Sequence, residues 1–514
     1  MPCGVVMAFW ASVLIVLVTT VLLGLYKLRV LRQKRAKEPP LDKGLIPWLG
    51  HARDFSNDPS SFLKRMQERH GDIFTVQCAG RYVTYVTDPF SFDAILKEDR
   101  SKLDFSEFAS ELVFKIFDFR KHGNHREMMR KNSLRHLMST GLVGLTQAMM
   151  DSLKVLMQEP DAGVTPAPQE WKQDGLFQFC YSTVFRAGYL ALFGNLPTDG
   201  KAGHAQDLLQ SQKIFEEFRK FDILFPRMCF SVLLAKEKQE VRRLKNFFWG
   251  ILSARHILEK DNVSEWIRSL QQDLADMRMP EIERNKYNFV ILWASQGNTG
   301  VVSFWALLFL LKNPEALKAV REEAERVLKK MGQEMKPWEV PITVEYSMLQ
   351  QTPVLDSVME ETLRMVVAPI LTRTVMEDMI LKMDDGREYA LRQGDVVSIF
   401  PYLSLHMDPE IYPDPTTFKY DRFLNPEGSR KVAFYKQGRR IKSPMLPWSA
   451  GPSICPGRFF ALSEMKMFVF FMVAQYDIEL VDQEVKIPSV NVKRFGIGAM
   501  QPIHDVQFRY RLCF

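Results

Sequence analysis

Residues 285–312 read NKYNFVILWASQGNTGVVSFWALLFLLK. The segment is apolar nearly all round and stops at Asn313-Pro314, a helix-ending pair. A helix with no polar face must be covered by neighbours on every side. It therefore predicts a central helix with others packed around it, and helical periodicity does dominate from about residue 91 to 350. Gly297 and Gly300 lie in its middle, each costing about 1 kcal/mol relative to alanine. Either a neighbouring backbone packs closely there, or the helix is distorted beside a site.

The 514 residues carry no Gly/Ser run, internal repeat or low-complexity block after residue 50. With 46% hydrophobic and 25% charged residues, they read as one large globular unit with a short appendage. The six cysteines, at 3, 78, 180, 229, 455 and 513, form no CxxC pair. That argues against zinc spacings and a secreted disulfide framework, and favours a reducing compartment. A net charge of +7 without a basic, aromatic-interleaved helix argues against nucleic acid as a partner.

The appendage opens with VVMAFWASVLIVLVTTVLLGLY at residues 5–26, an uncharged run long enough to cross a bilayer as a helix. Lys27, Arg29, Arg32, Lys34, Arg35 and Lys37 follow, which keeps the body in the cytosol. A signal peptide would instead show a basic start and a cleavage site after the apolar run. Pro39, Pro40 and Pro47 then stiffen the chain. The organisation predicted is a transmembrane anchor over 1–27, a basic and proline-rich linker over 28–50, and a catalytic domain over 51–514.

Within that domain, residues 71–87 alternate apolar and polar and predict a β-hairpin turning at Ala79-Gly80. A helix over 354–366, strand-like pieces around 371–400 and an irregular, proline-rich stretch from Pro401 to Pro426 follow.

Near the C-terminus, PWSAGPSICPGRFFALSE spans residues 447–464. Pro456 suits a first helical position, which puts Cys455 at a helix N-terminus. Free N–H groups and the helix dipole favour negative charge there and lower a thiol's pKa. An isolated cysteine is more often a small buried hydrophobe. As a nucleophile it wants a histidine base. A metal held by one thiolate alone points to haem.

The stretch W-S-A-G-P-S-I-C-P-G resembles the haem-thiolate loop of the cytochromes P-450, whose pattern is F-x-x-G-x-R-x-C-x-G. Trp448 takes the phenylalanine place, Gly451, Cys455 and Gly457 match, and Ser453 replaces the usual basic residue. Glu361-Thr-Leu-Arg364 matches the family's ExxR, and Arg422 lies in FKYDRF, which resembles its aromatic-arginine segment. The resemblance implies that Glu361, Arg364 and Arg422 form a buried charge network bracing the haem loop. It implies a mainly α fold with small β-sheets, a triangular helical prism around haem (heme b), with Cys455 as the axial iron ligand. Trp448 and Gly457 would flank the cofactor. Arg126, Arg130 and Arg373 would meet its propionates, although no tryptophan accompanies Arg126 and Arg130.

The long helix departs from the family's A/G-G-x-D/E-T. Gly297 stands at the acid and Asn298 at the threonine, with Thr299 about 100° further round. An amide holds hydrogen bonds but does not titrate. Asn298 and Thr299 are therefore the candidate catalytic residues, holding a water chain or a substrate oxygen. This Gly-Asn pair resembles one branch of the family, the sterol hydroxylases of bile-acid synthesis together with isomerases of the prostacyclin synthase type. The isomerases have leucine where Pro456 stands, and stretches such as FRKFDILFPR and FPYLSLHMDP also resemble the sterol enzymes. The resemblance thus implies 12α-hydroxylation of a 7α-hydroxylated 4-cholesten-3-one. O2 is the oxidant, NADPH–cytochrome P-450 reductase supplies the electrons, and the endoplasmic reticulum membrane carries the anchor. The alternatives are a haem-thiolate isomerase, or a membrane-anchored haem or sterol binder without turnover.

An apolar sterol needs an apolar pocket with few polar anchors. The candidate walls are Phe105, Phe108, Trp293, Asn298, Val367, Ala368, Ile370, Ile497, Ala499 and Met500. Arg430, Lys431, Lys436, Arg439, Arg440 and Lys442 form a basic stretch able to steer an acidic reductase.

Overall fold

The computed structural model describes residues 2–32, 34–123, 125–138, 140–158, 170–197, 200–333 and 342–512. It divides into two compact units. The first comprises Met1–Phe108, Ile370–Ser404 and Gly451–Ser453, and the second Ala109–Pro369, Leu405–Ala450 and Ile454–Phe514.

The first unit opens with helix α1 (Pro2–Leu31), which runs past Lys27. Its apolar residues from Trp10 to Gly24 are all exposed. Six strands form the unit's sheet: β1 (Leu41–Asp42), β2 (Ile73–Cys78), β3 (Arg81–Val86), β4 (Leu103–Asp104), β5 (Leu371–Val375) and β6 (Val396–Ile399), in the order β1-β2-β3-β6-β5-β4. The β2–β3 hairpin turns at Ala79-Gly80 as the alternation predicts. The segment read as a stiff spacer is also tied down. Arg32 pairs with Asp395, Glu38 with Arg392, and β1 joins β2 in parallel. Gly451 adopts φ +64, and a Cβ there would lie 2.2 Å from the Leu96 carbonyl oxygen, so only glycine fits.

The second unit is helical. Its framework includes α2 (His125–His136), α3 (Leu176–Phe193), α4 (Gly200–Cys229), α5 (Glu281–Gln296), α6 (Thr299–Lys312), α7 (Pro353–Val366) and α8 (Arg458–Gln475). Every residue of α6 from Thr299 to Leu311 is buried, packed by α3, α7 and α8. Its length and apolarity would let the 281–312 stretch cross a membrane, yet it is the core of this unit.

The single central helix expected over 285–312 is two helices. α5 ends at Gln296, Gly297 and Asn298 form a turn, and α6 starts at Thr299. The Tyr181 hydroxyl donates to the freed Gly297 carbonyl at 3.1 Å. Gly300 serves close packing, because a Cβ there would lie 2.8 Å from Tyr181 Cα. Both readings of the glycines therefore hold, one at each position.

Gly300→Ala separates helix propensity from packing. Propensity alone predicts a gain of about 1 kcal/mol, whereas overpacking against the α3 backbone predicts a net loss of about 1–3 kcal/mol. A lower thermal unfolding midpoint is the expected result, and a raised one refutes the close contact.

Candidate active site

Cys455 is half-buried, and its N–H donates to the Trp448 carbonyl at 2.9 Å, closing the loop between them. Gly457 precedes α8, so the first helical residue is Arg458 rather than Pro456. Burial pushes the Cys455 thiol up, while the Gly457 and Arg458 N–H groups and the Arg458 charge pull it down. The sequence reading counted only the helix terminus and expected a lowered thiol. Desolvation of the sulfur outweighs the terminus in the protein alone.

The three residues of the expected charge network meet. Arg364 grips Glu361 with two bonds, Nε to Oε2 at 2.7 Å and Nη2 to Oε1 at 2.8 Å. Arg422 Nε donates to Oε1 at 2.9 Å, and the Lys419 backbone N–H adds a fourth bond at 3.2 Å. Glu361 and Arg364 are fully buried. The network continues through a residue that no motif flagged. Arg364 Nη1 donates to the His406 carbonyl at 2.7 Å, and the His406 ring Nε2 accepts the Leu446 N–H at 3.1 Å. Leu446 immediately precedes the cysteine loop, so the carboxylate on α7 governs where that loop begins. Burial, reinforced by the Arg364 charge, pushes His406 down to about 3. A histidine in an apolar run was the only trace of this in the sequence.

At the break between α5 and α6, the Asn298 side-chain oxygen accepts the Ala499 N–H at 2.9 Å. Its Nδ2 group has no partner among the described residues. Thr299 is buried and its hydroxyl is likewise without a partner there. Residues 366–369 run beside 496–500: Val367 bridges Ala499, the Ala368 N–H donates to the Gly498 carbonyl at 3.0 Å, and the Met500 N–H donates to the Val366 carbonyl at 2.9 Å. Val367, Ala368, Ala499 and Met500 are buried, and Ile497 is half-buried. Trp293 stacks on Phe225 with ring centroids 4.3 Å apart, and its Nε1 is buried without a partner among the described residues.

In the first unit, Arg373 is buried, donates to its neighbour's carbonyl on Thr372 at 2.9 Å and lies 5.6 Å over the Phe105 ring. Burial, with Arg100 adding to it and Asp104 opposing it, takes Arg373 down to about 10. Phe105 is exposed, and Phe108 and Ile370 are half-buried. Arg130, in the second unit, is exposed and pairs with Glu127 at 2.9 Å. The Arg126 side chain lies outside the described residues.

A lone cysteine presented to backbone donators on a helical scaffold, behind a buried carboxylate network, defines a haem-thiolate protein. The chain belongs to the cytochrome P450 family, whose profile matches residues 39–508. It is 54% identical to the 7-alpha-hydroxycholest-4-en-3-one 12-alpha-hydroxylase of Oryctolagus cuniculus, over 94% of this chain and 95% of that protein. Identity to the prostacyclin synthase of Bos taurus is 43%, over 93% and 95%. The solved structure of retinoic acid-bound cyanobacterial CYP120A1 shares the fold, with a TM-score of 0.69 at 18% identity, over 93% of this chain and all of that one.

The residues present fit the haem that the family uses. Among the described residues no group of three His, Cys, Asp or Glu side chains could hold a metal. One thiolate suits an iron whose other positions a macrocycle fills. A Cβ at Gly457 would meet nothing within 4 Å. The chain's own packing therefore leaves open space beside the sulfur, room for a flat group.

Two variants test the brace. Arg422→Ala leaves a buried carboxylate short of a partner and should cost about 3–5 kcal/mol in urea unfolding. A loss below about 1 kcal/mol means that the third charge is dispensable. His406→Gln tests the histidine through pH. Its folded pKa lies below the ordinary value, so the unfolded chain takes up the proton as pH falls below about 6.5. Stability from the neutral ring is complete above that value and is lost towards about pH 3, at up to about 1.4 kcal/mol per pH unit. The variant should show a shallower acid slope than wild type over this window; equal slopes contradict the burial of a neutral ring.

Proposed function

We propose that this protein is a membrane-anchored monooxygenase that places a 12α-hydroxyl on 7α-hydroxycholest-4-en-3-one in bile-acid synthesis. The near full-length likeness to sterol 12-alpha-hydroxylases, well above that to prostacyclin synthases, carries the reading. When bound, the haem uses O2 and electrons relayed from NADPH by a flavoprotein reductase to oxidise an unactivated C–H bond. The chain's residues do the rest. Cys455 would hold the iron as a thiolate, with the Gly457 and Arg458 N–H groups compensating its charge. In the second unit, Arg130 would meet a propionate once it exchanges Glu127. Trp448 and Gly457 flank the ring.

In the second unit, the apolar wall of Val367, Ala368, Ile497, Ala499 and Met500, with Trp293, excludes water from a rigid sterol. Because the Ala499 N–H fixes the Asn298 oxygen, the amide presents Nδ2 to a sterol oxygen or an ordered water. The unpartnered Thr299 hydroxyl takes a second water, which replaces the acid–alcohol pair of other family members without a titrating group. Exposed Arg439 and Arg440 on the 435–440 hairpin, with exposed Lys442 just after it, supply the positive field for an acidic reductase. Arg430 and Lys436 contribute less, since Glu360 and Asp408 neutralise them. The exposed apolar face of α1 fits a single pass through the endoplasmic reticulum membrane, with the catalytic body in the cytosol.

The test is reconstitution of the full-length holoenzyme with reductase in phospholipid vesicles, using 7α-hydroxycholest-4-en-3-one. One NADPH-dependent 12α-hydroxylated product, assigned by NMR, is expected. Absence of that product, or its formation without NADPH, overturns the proposal. Cys455→Ser should lose both turnover and the thiolate-type carbon monoxide difference band.

A further inference from the structure

Asp222 sits on α4 and is 1% exposed. Four side chains converge on it. Arg494 Nη2 donates to Oδ1 at 2.8 Å, and Arg494 Nη1 also donates to the Asp222 main-chain carbonyl at 3.1 Å. Gln501 Nε2 donates to Oδ2 at 2.7 Å, and Arg219 Nη1 donates to the same oxygen at 2.8 Å. The Tyr181 hydroxyl oxygen lies 3.5 Å from Oδ2 while donating to the Gly297 carbonyl.

The order of these partners along the chain is informative. Arg494 and Gln501 bracket one short segment, so a single carboxylate holds both of its ends. The middle of that segment carries the Ala499 N–H that fixes Asn298. Gly498, at φ +135, lets the segment lie flat on the amide; a Cβ there would be 2.5 Å from Asn298 Oδ1. From the other side, Tyr181 links the Asp222 cluster to the helix break itself. Taking a carboxylate and two guanidinium groups out of water is costly, and apolar packing of equal volume would stabilise the fold as well. What the charges add is a fixed geometry.

We propose that Asp222 is a positioning residue for the oxidation. By clamping both ends of the 494–501 segment it sets the angle at which Asn298 meets the sterol, and so fixes which carbon is hydroxylated. The inference rests on the sterol monooxygenase reading.

The experiment uses the full-length holoenzyme with reductase and 7α-hydroxycholest-4-en-3-one. Asp222→Asn removes the charge. Gln501→Ala removes one clamp contact and leaves both arginine pairs, so it carries the test if Asp222→Asn does not fold. Both should speed hydrogen–deuterium exchange of the 495–500 amides. Each should lower the ratio of 12α-hydroxylated product to other monohydroxylated products, on the order of tenfold for Asp222→Asn. Thermal midpoints are measured alongside, since a purely structural role lowers stability and leaves this ratio alone. The Gln501→Ala effect on the ratio should largely vanish in an Asn298→Ala background, because the two act through one amide. Unchanged product ratios in a folded variant, or full additivity with Asn298→Ala, overturn the clamp. A wild type that makes no 12α product sinks the monooxygenase reading instead, so the two failures are distinguishable.

Discussion

The fully buried Glu361 carboxylate organises this molecule. A lone carboxylate in that position would be prohibitively costly. Four donors from three places in the chain make it tolerable: Arg364 one helical turn on, Arg422 and the Lys419 N–H from the irregular stretch. Because each guanidinium has hydrogen bonds to spare, the same charges also satisfy main-chain carbonyls between residues 406 and 417. Arg422 serves Pro413 and Thr417, and Arg364 serves His406. The irregular stretch between the 402–406 π-helical turn and the 435–440 hairpin is thus held by polar bonds rather than by a sheet or helix ladder.

The consequence reaches the sulfur. His406 is kept neutral by burial, which leaves its ring nitrogen able to accept the Leu446 N–H. The next residues close onto themselves through the Cys455 to Trp448 bond. A metal ligand carried by a loop needs such support, since small misplacements of a ligand are felt directly in reactivity.

The substrate side follows the opposite rule. There the polar groups are few and unevenly satisfied: Asn298 is committed through its oxygen only, while the Thr299 hydroxyl and Trp293 Nε1 have no partner among the described residues. A buried polar atom with spare hydrogen-bonding capacity is expensive in a core and useful in a site. At the break between α5 and α6, Asn298 meets the apolar 496–500 segment, and the proposed sterol site draws on that arrangement.

Much of this was legible in the residues. The apolarity of 285–312 required a buried central segment, the alternation over 71–87 gave the hairpin, and the three motifs around Glu361, Arg422 and Cys455 gave the fold and the charge network. Local pattern suffices for these because periodicity and short spacings are set by neighbours in the chain. The effect of the mid-helix glycines stays open in the residues between close packing and distortion, because a Gly-Asn pair costs too little by itself to end a helix; the Tyr181 hydroxyl, more than a hundred residues away, takes up the carbonyl that the break frees. The thiol was read as lowered because a sequence displays a helix terminus but not the burial of the sulfur. His406, Asp222 and Gln501 belong to no motif. Their roles depend on which distant groups meet them in a low-dielectric interior, and that is decided only when the chain is packed. The sequence alone determined the helical class, the family and the charge triad; tertiary structure decided how firmly each polar group is held, because hydrogen-bond partners and desolvation exist only between parts of the chain that folding brings together.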